Sequence, residues 1–202
     1  MWHLIWPLRQ RLEFRLTQRL AILGSIYLLS ACATLTKQEC MVGDWQAIGY
    51  NDGVVGYYSD RLASHAKACA KTSVTPDYRL WERGRQLGLK QYCTVTSAYN
   101  VGRRGRKLNN VCPIALASSL QVANQKGLDY YALDSQLDKD KRLLKTAEEE
   151  FKKLKNGEML DFETEKEARA RLLSLPIELR DIEHRIYNTQ KQLALLNQMN
   201  SD

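Results

Sequence analysis

Long apolar runs are missing from this 202-residue chain. Its main apolar stretch, Leu20 to Leu29, has only ten residues. A helix of that length covers about 15 Å, roughly half of a ~30 Å hydrocarbon core, so it is not a membrane-spanning anchor. Paired C-x-x-C spacings are also missing, and no cysteine follows Cys112. That argues against a zinc ribbon, whose ligands come in close pairs. The signatures G-x-S-x-G and H-E-x-x-H do not occur, so no hydrolase elbow or zinc-protease helix is announced. Charge of one sign is not in large excess either. Without residues 1–31 the 30 basic and 23 acidic side chains lose four and one respectively, leaving a net charge of +4. Such a small, mixed excess does not suggest a nucleic-acid partner.

What is present begins with an address. Arg9, Arg11, Arg15 and Arg19, opposed only by Glu13, precede the apolar run, and small residues follow it. A basic segment, a short apolar core and a small-residue cleavage point make a secretory signal. The end of the run, Leu29-Ser30-Ala31-Cys32, resembles the lipobox of bacterial lipoproteins. That resemblance implies cleavage before Cys32, a diacylglycerol thioether on its sulfur and acylation of the new amino terminus. With Ala33 rather than Asp after the cysteine, the pattern resembles lipoproteins sent to the outer membrane. Residues 32–39 are expected to be a short tether between lipid and protein.

The other four cysteines, Cys40, Cys69, Cys93 and Cys112, lie in the first half of the mature chain. An even set in an oxidising compartment reads as two disulfides. Four cysteines allow three connectivities; the expected one is Cys40–Cys69 with Cys93–Cys112, closing successive loops.

The chain changes character near Pro113. Beyond it Tyr130, Leu137, Leu144 and Phe151 recur every seven residues, with Leu133, Ala147 and Leu154 between them and Asp140 breaking the seam. Leu172, Leu175, Leu179, Ile182, Ile186, Leu193 and Leu196 repeat the device, interrupted by Thr189. Heptads with charged flanks predict coiled-coil helices. Asn156-Gly157 supplies turn chemistry between them, so residues 114–202 are expected to form an antiparallel hairpin. Pro176 should kink or divide the second helix, with Ser174 as the cap of a restarted one. A first helix from Ile114 to Leu154 would be about 60 Å long. Pattern leaves open whether the hairpin extends or packs onto the preceding domain.

Residues 40–113 carry an internal repeat. Tyr50-Asn51-Asp52-Gly53-Val54-Val55-Gly56 matches Tyr99-Asn100-Val101-Gly102-Arg103-Arg104-Gly105, and Trp81, Gly84 and Gly88 make a looser version. Aromatics and glycines three or four apart put rings and bare backbone on one helical face, where helices can pack closely. Short helices are expected from Trp45 to Gly53, Ser59 to Ala70 and Pro76 to Cys93, with Ser59 and Thr75 as caps. The fold class is thus mainly α: a small disulfide-stapled helical domain followed by an antiparallel coiled-coil hairpin.

Five blocks in order also carry a family resemblance: Gly49-Tyr50-Asn51-Asp52-Gly53, His65-x-x-x-Cys69, Pro76-Asp77, Gly84-Arg85-x-x-Gly88-Leu89-x-x-Tyr92-Cys93 and Val111-Cys112-Pro113. Over roughly residues 40–113 the chain resembles a proteobacterial lipoprotein domain of unknown function. The resemblance implies a class of protein and no activity.

Few residues invite a chemical role. His65 stands four residues before Cys69, a spacing that could hold a metal, but a packed or capping histidine is the expected reading. Asp52 is expected to serve a turn or helix. The sharpest binding candidate is the basic loop Gly102 to Lys107, in which Arg103, Arg104, Arg106 and Lys107 could grip an anionic envelope component. Tyr92 and Tyr99 would stand ready to stack on a sugar or peptide. No cofactor, metal or nucleic acid is expected. The functional reading is a lipid-anchored envelope protein with a structural or interaction role, an envelope protein being engaged by the coiled coil. The alternatives are a module binding phospholipid headgroups or peptidoglycan through the basic loop and, third, a cell-wall enzyme.

Overall fold

A computed structural model describes residues 34–198. The signal segment 1–31 and the lipidation candidate Cys32 lie outside the described residues. Among those described there are seven α-helices and no strand: α1 (Lys37–Val42), α2 (Trp45–Val55), α3 (Arg61–Cys69), α4 (Tyr78–Tyr92), α5 (Val95–Arg103), α6 (Ala117–Lys155) and α7 (Glu165–Gln198).

Side-chain caps start most of the short helices. Thr36 and Glu39 form a reciprocal capping box on α1. Asp44 accepts from the Ala47 N–H on α2, Asp77 from Leu80 on α4 and Thr94 from Ser97 on α5. The expected caps Ser59 and Thr75 are therefore displaced. Asp77, in extended backbone, reaches the free amides itself, so Pro76 falls outside the helix; α3 starts after Asp60, whose side chain makes no cap bond.

The glycine strips set how the helices meet. In the pair α2–α4, a methyl group on Gly49 would lie 1.9 Å from the Trp81 carbonyl oxygen, and one on Gly84 would lie 2.0 Å from that of Gln46. Gly53 meets Arg85 and Gly88 meets Tyr50 in the same way. Side chains at these positions would push the helices apart, and small residues four apart on both faces let the backbones touch. The pair α5–α6 repeats the device, with Gly102 against the Asn124 carbonyl and Gly127 against that of Tyr99.

The correspondence extends beyond the helices. After α2 the chain turns at Gly56 (φ +78°), which lies under the Tyr92 ring; after α5 it turns at Gly105 (φ +73°), which lies under Tyr131. Arg85 Nη1 donates to the Tyr57 carbonyl at 3.0 Å, and Asn124 Nδ2 donates to the Arg106 carbonyl at 3.1 Å. The head is thus built from two glycine-packed helix pairs of one design. Trp81-Gly84-Gly88 is the facing strip of the first pair rather than a third copy.

Two disulfides pin these parts with the successive connectivity: Cys40–Cys69 ties α1 to the end of α3, and Cys93–Cys112 bridges the segments after α4 and before α6. Leu35, Cys40, Trp45, Cys69 and Trp81 form one apolar cluster. Leu35 is already in that core and Thr36 already caps α1, so residues 34–39 are part of the head and not a tether.

The helix α6 is shared. Leu120, Ala123, Asn124 and Gly127 pack in the head, past the change of composition at Pro113, and the same helix then runs on for a total of 39 residues, about 58 Å. Beyond a turn at Asn156-Gly157, α7 begins with a Thr164–Glu167 capping box and packs back along α6. Among the described residues no other helix adds more than a marginal contact to α7, so the hairpin extends from the head. Its seam joins Ala147, Leu154, Ala168, Leu175 and Ile182, flanked by Leu144, Phe151, Leu172, Leu179 and Ile186. Pro176 removes one donor yet leaves α7 undivided. Ser174 starts no new helix; its hydroxyl donates to the Arg171 carbonyl at 2.9 Å.

Candidate functional site

The polar residues of the head converge where α2, α3 and α4 meet. Asp52 is buried, and its Oδ2 accepts from His65 Nε2 at 2.7 Å and from Trp81 Nε1 at 2.8 Å. On the far side of the imidazole, Thr34 Oγ1 lies 2.9 Å from Nδ1. Arg61 places its Nε 3.8 Å from Asp52 Oδ1 and its guanidinium 4.3 Å from the centre of the Tyr57 ring. That buried Nε has no hydrogen-bond partner.

The geometry follows from the sequence one helix at a time. Asp52 precedes Gly53, so the bare strip that admits α4 brings Trp81 to the carboxylate. The disulfide at Cys69 fixes the end of α3 and hence His65, one turn earlier on the same helix. His65 is therefore a packed histidine with both ring nitrogens engaged, and Asp52 is the hub of a buried network rather than a turn former. Among the described residues no cluster of His, Cys, Asp and Glu has metal-binding geometry.

A Ser-x-x-Lys spacing was expected to be absent beyond residue 32, but one is present. Ser64-His65-Ala66-Lys67 reads as Ser-x-x-Lys, yet Lys67 is exposed and no hydrogen bond joins it to Ser64.

The basic loop starts at the end of α5. The Arg103 guanidinium sits 4.0 Å from the centre of the Tyr130 ring and 5.9 Å from that of Tyr99. Arg104, Arg106 and Lys107 are exposed, and among the described residues none of the four basic groups forms an ion pair. The loop backbone is held at Arg106, whose N–H donates to the Val101 carbonyl at 3.2 Å and whose carbonyl accepts from Asn124 Nδ2 at 3.1 Å; just beyond it the Leu108 N–H donates to Asn124 Oδ1 at 3.0 Å. Tyr92 is not available for stacking. Its ring fills the space over Gly56, and its hydroxyl accepts the Asn109 N–H at 2.9 Å. Burial pushes the Tyr92 phenol above its ordinary pKa.

A second polar site interrupts the hairpin seam. Asp140 is almost fully buried, accepting from Gln136 at 3.0 Å and from two nitrogens of Arg185 at 3.0 and 3.2 Å. The Gln136 amide and the Arg185 guanidinium hold its carboxyl below the usual carboxylate range, outweighing burial. Arg171 of α7 grips Glu150 of α6 through two parallel bonds of 2.8 and 2.7 Å and also reaches Glu178. These contacts depress the Glu150 carboxyl and raise the Arg171 guanidinium.

Fold and site define a disulfide-stapled helical head that continues into a helical hairpin. Residues 44–129 match the model of a family described as a protein of unknown function (DUF2799), so the chain carries that domain. The match begins at the cap of α2 and ends within α6, taking in both glycine-packed pairs. No curated protein and no solved structure matches the chain.

Proposed function

We propose that this is a lipid-anchored protein of the bacterial envelope with a structural or interaction role, held through Cys32 and facing the periplasm at the outer membrane. The head is the fixed base, and the hairpin is the arm that engages an envelope protein. The observation that carries this reading is the outer face of α7. Leu173 is 77% exposed and Ile177, one turn on, 58% exposed. Ile177 also lines a shallow hollow with Leu143 of α6, bounded by Arg171, Glu178 and Arg185. An apolar strip framed by charges on a projecting hairpin suits a helical partner.

The test uses the full chain in its membrane. Cys32→Ser should release the protein from the membrane fraction and abolish palmitate incorporation. Leu173→Glu with Ile177→Glu should leave the anchor intact and dissolve a detergent-extracted complex that the parent chain forms. Loss of neither property overturns the reading.

A second reading rests on Arg104, Arg106 and Lys107, exposed and in no ion pair among the described residues, with the guanidinium of Arg103 held over Tyr130 beside them; together they suit an anionic envelope component. Changing the three arginines to Ser should then reduce binding to isolated peptidoglycan or anionic vesicles; unchanged binding removes this alternative.

A further inference from the structure

The chain enters the folded head at Thr34, whose hydroxyl is bonded to His65, and Leu35 is buried beside Trp45 and Trp81. Thr34 is two positions after Cys32, with only Ala33 between them. At 3.3–3.6 Å per residue this is a reach of about 7 Å at most. A lipid on Cys32 would therefore leave the head almost no freedom to stand off the bilayer. The surface at this entry point is α1, which ends in two exposed apolar residues beyond the polar Lys37, Gln38 and Glu39: Met41 is 61% exposed and Val42 71% exposed. With Lys37 and Gln38 they line one shallow hollow. The elements packed against α1 add the exposed cations Lys67 and Lys71. The acid of α1, Glu39, is turned back onto the Thr36 cap, whose hydrogen bonds hold its carboxyl below the usual range.

We propose that α1 is a membrane-seating helix: Met41 and Val42 enter the headgroup region of the bilayer, with Lys37, Lys67 and Lys71 at anionic headgroups. The inference rests on the lipid-anchor reading and adds an orientation to it. Interfacial helices combine apolar residues on one side with Lys on the flanks, as here. Seating is passed to the core, because Cys40 on the same helix is bonded to Cys69, one turn after His65. The bilayer contact thus fixes the posture of the whole head, and with it the direction in which α6 leaves.

The test is fluorescence of the full, lipidated chain in proteoliposomes of phosphatidylethanolamine and phosphatidylglycerol, with and without bromine on the acyl chains. Both head tryptophans, Trp45 and Trp81, are buried and supply a constant background. Met41→Trp adds one exposed indole at the proposed contact, Val42→Trp repeats it, and Leu173→Trp is the control on the hairpin. Met41→Trp and Val42→Trp should shift to the blue and lose about half of their added emission in brominated bilayers, as rings at headgroup depth do. Leu173→Trp should be unaffected. Mass measurement of the amino-terminal fragment reads the anchor separately. Unquenched emission at both positions with the lipid attached overturns the seating and leaves the anchor standing. Equal quenching at Leu173→Trp overturns it as well. An unmodified Cys32 removes the anchor reading and the seating together.

Discussion

Asp52 and His65 meet at 2.7 Å in the middle of the head, and the same carboxylate oxygen takes the indole N–H of Trp81. One acceptor therefore ties α2 to α3 and α4. Asp52→Ala leaves two buried donors and Arg61 without it, and removing one member of a buried charged set costs about 3–5 kcal/mol. Urea unfolding should show a loss of this size. Asp52→Asn, which keeps one acceptor oxygen, should fall between Asp52→Ala and the parent. No loss in Asp52→Ala would mean that the cluster does not hold the head together.

Gly84 and Gly49 offer a test in which the sign is informative. Alanine normally favours a helix over glycine by about 1 kcal/mol. At these two sites the added methyl meets a carbonyl oxygen at 2.0 and 1.9 Å. Overpacking of this kind costs about 1–3 kcal/mol or more. Gly84→Ala and Gly49→Ala should both lower the urea midpoint; a rise in either would contradict the close α2–α4 crossing.

Asp140 makes the hairpin sensitive to acid. Its folded carboxyl lies below the ordinary value of about 3.9, so its stabilising contribution is complete above that value. The contribution disappears as pH falls through the lowered folded value. Glu150, depressed by Arg171, adds to the same slope. Thermal melts from pH 7 to 3 should decline most steeply below about pH 4, and Asp140→Asn should flatten the decline. Asp140→Leu should keep or raise stability at pH 7, because Arg185 is half exposed and can rehydrate. Its apolar seam should then admit other registers or partners, visible as self-association in sedimentation.

The Cys93–Cys112 disulfide links positions 19 residues apart. Replacing both by Ser should cost about 3 kcal/mol by freeing the unfolded chain. The loss should appear in the urea midpoint of the oxidised protein and vanish when parent and variant are compared under reduction.

Much of the architecture was legible because it rests on local spacing. The heptads of α6 and α7 repeat within a few turns, and the glycine strips reveal themselves through the aromatics beside them. The Asp52 cluster was not legible: His65 and Trp81 lie 13 and 29 residues away on different helices. Asp140 looked like a flaw in the seam until Arg185, 45 residues on, supplied its partner. Tyr92 was expected at the surface because nothing local shows that Gly56 leaves a space of its size. The composition shift at Pro113 suggested a boundary, whereas α6 crosses from head to hairpin because Gly127 must lie against α5.

The central claim, that the hairpin is an arm engaging an envelope protein, is tested most directly by photo-cross-linking in intact cells. A photoreactive residue at Ile177 of the full chain samples the exposed strip. One at Lys152, nine residues and hence about 180° around α6 from Leu143, samples the opposite side. The expected result is a discrete heavier species from Ile177, absent from Lys152 and abolished by Leu173→Glu. Equal labelling from both positions, or none from Ile177 in cells that hold the anchored protein, would contradict the claim.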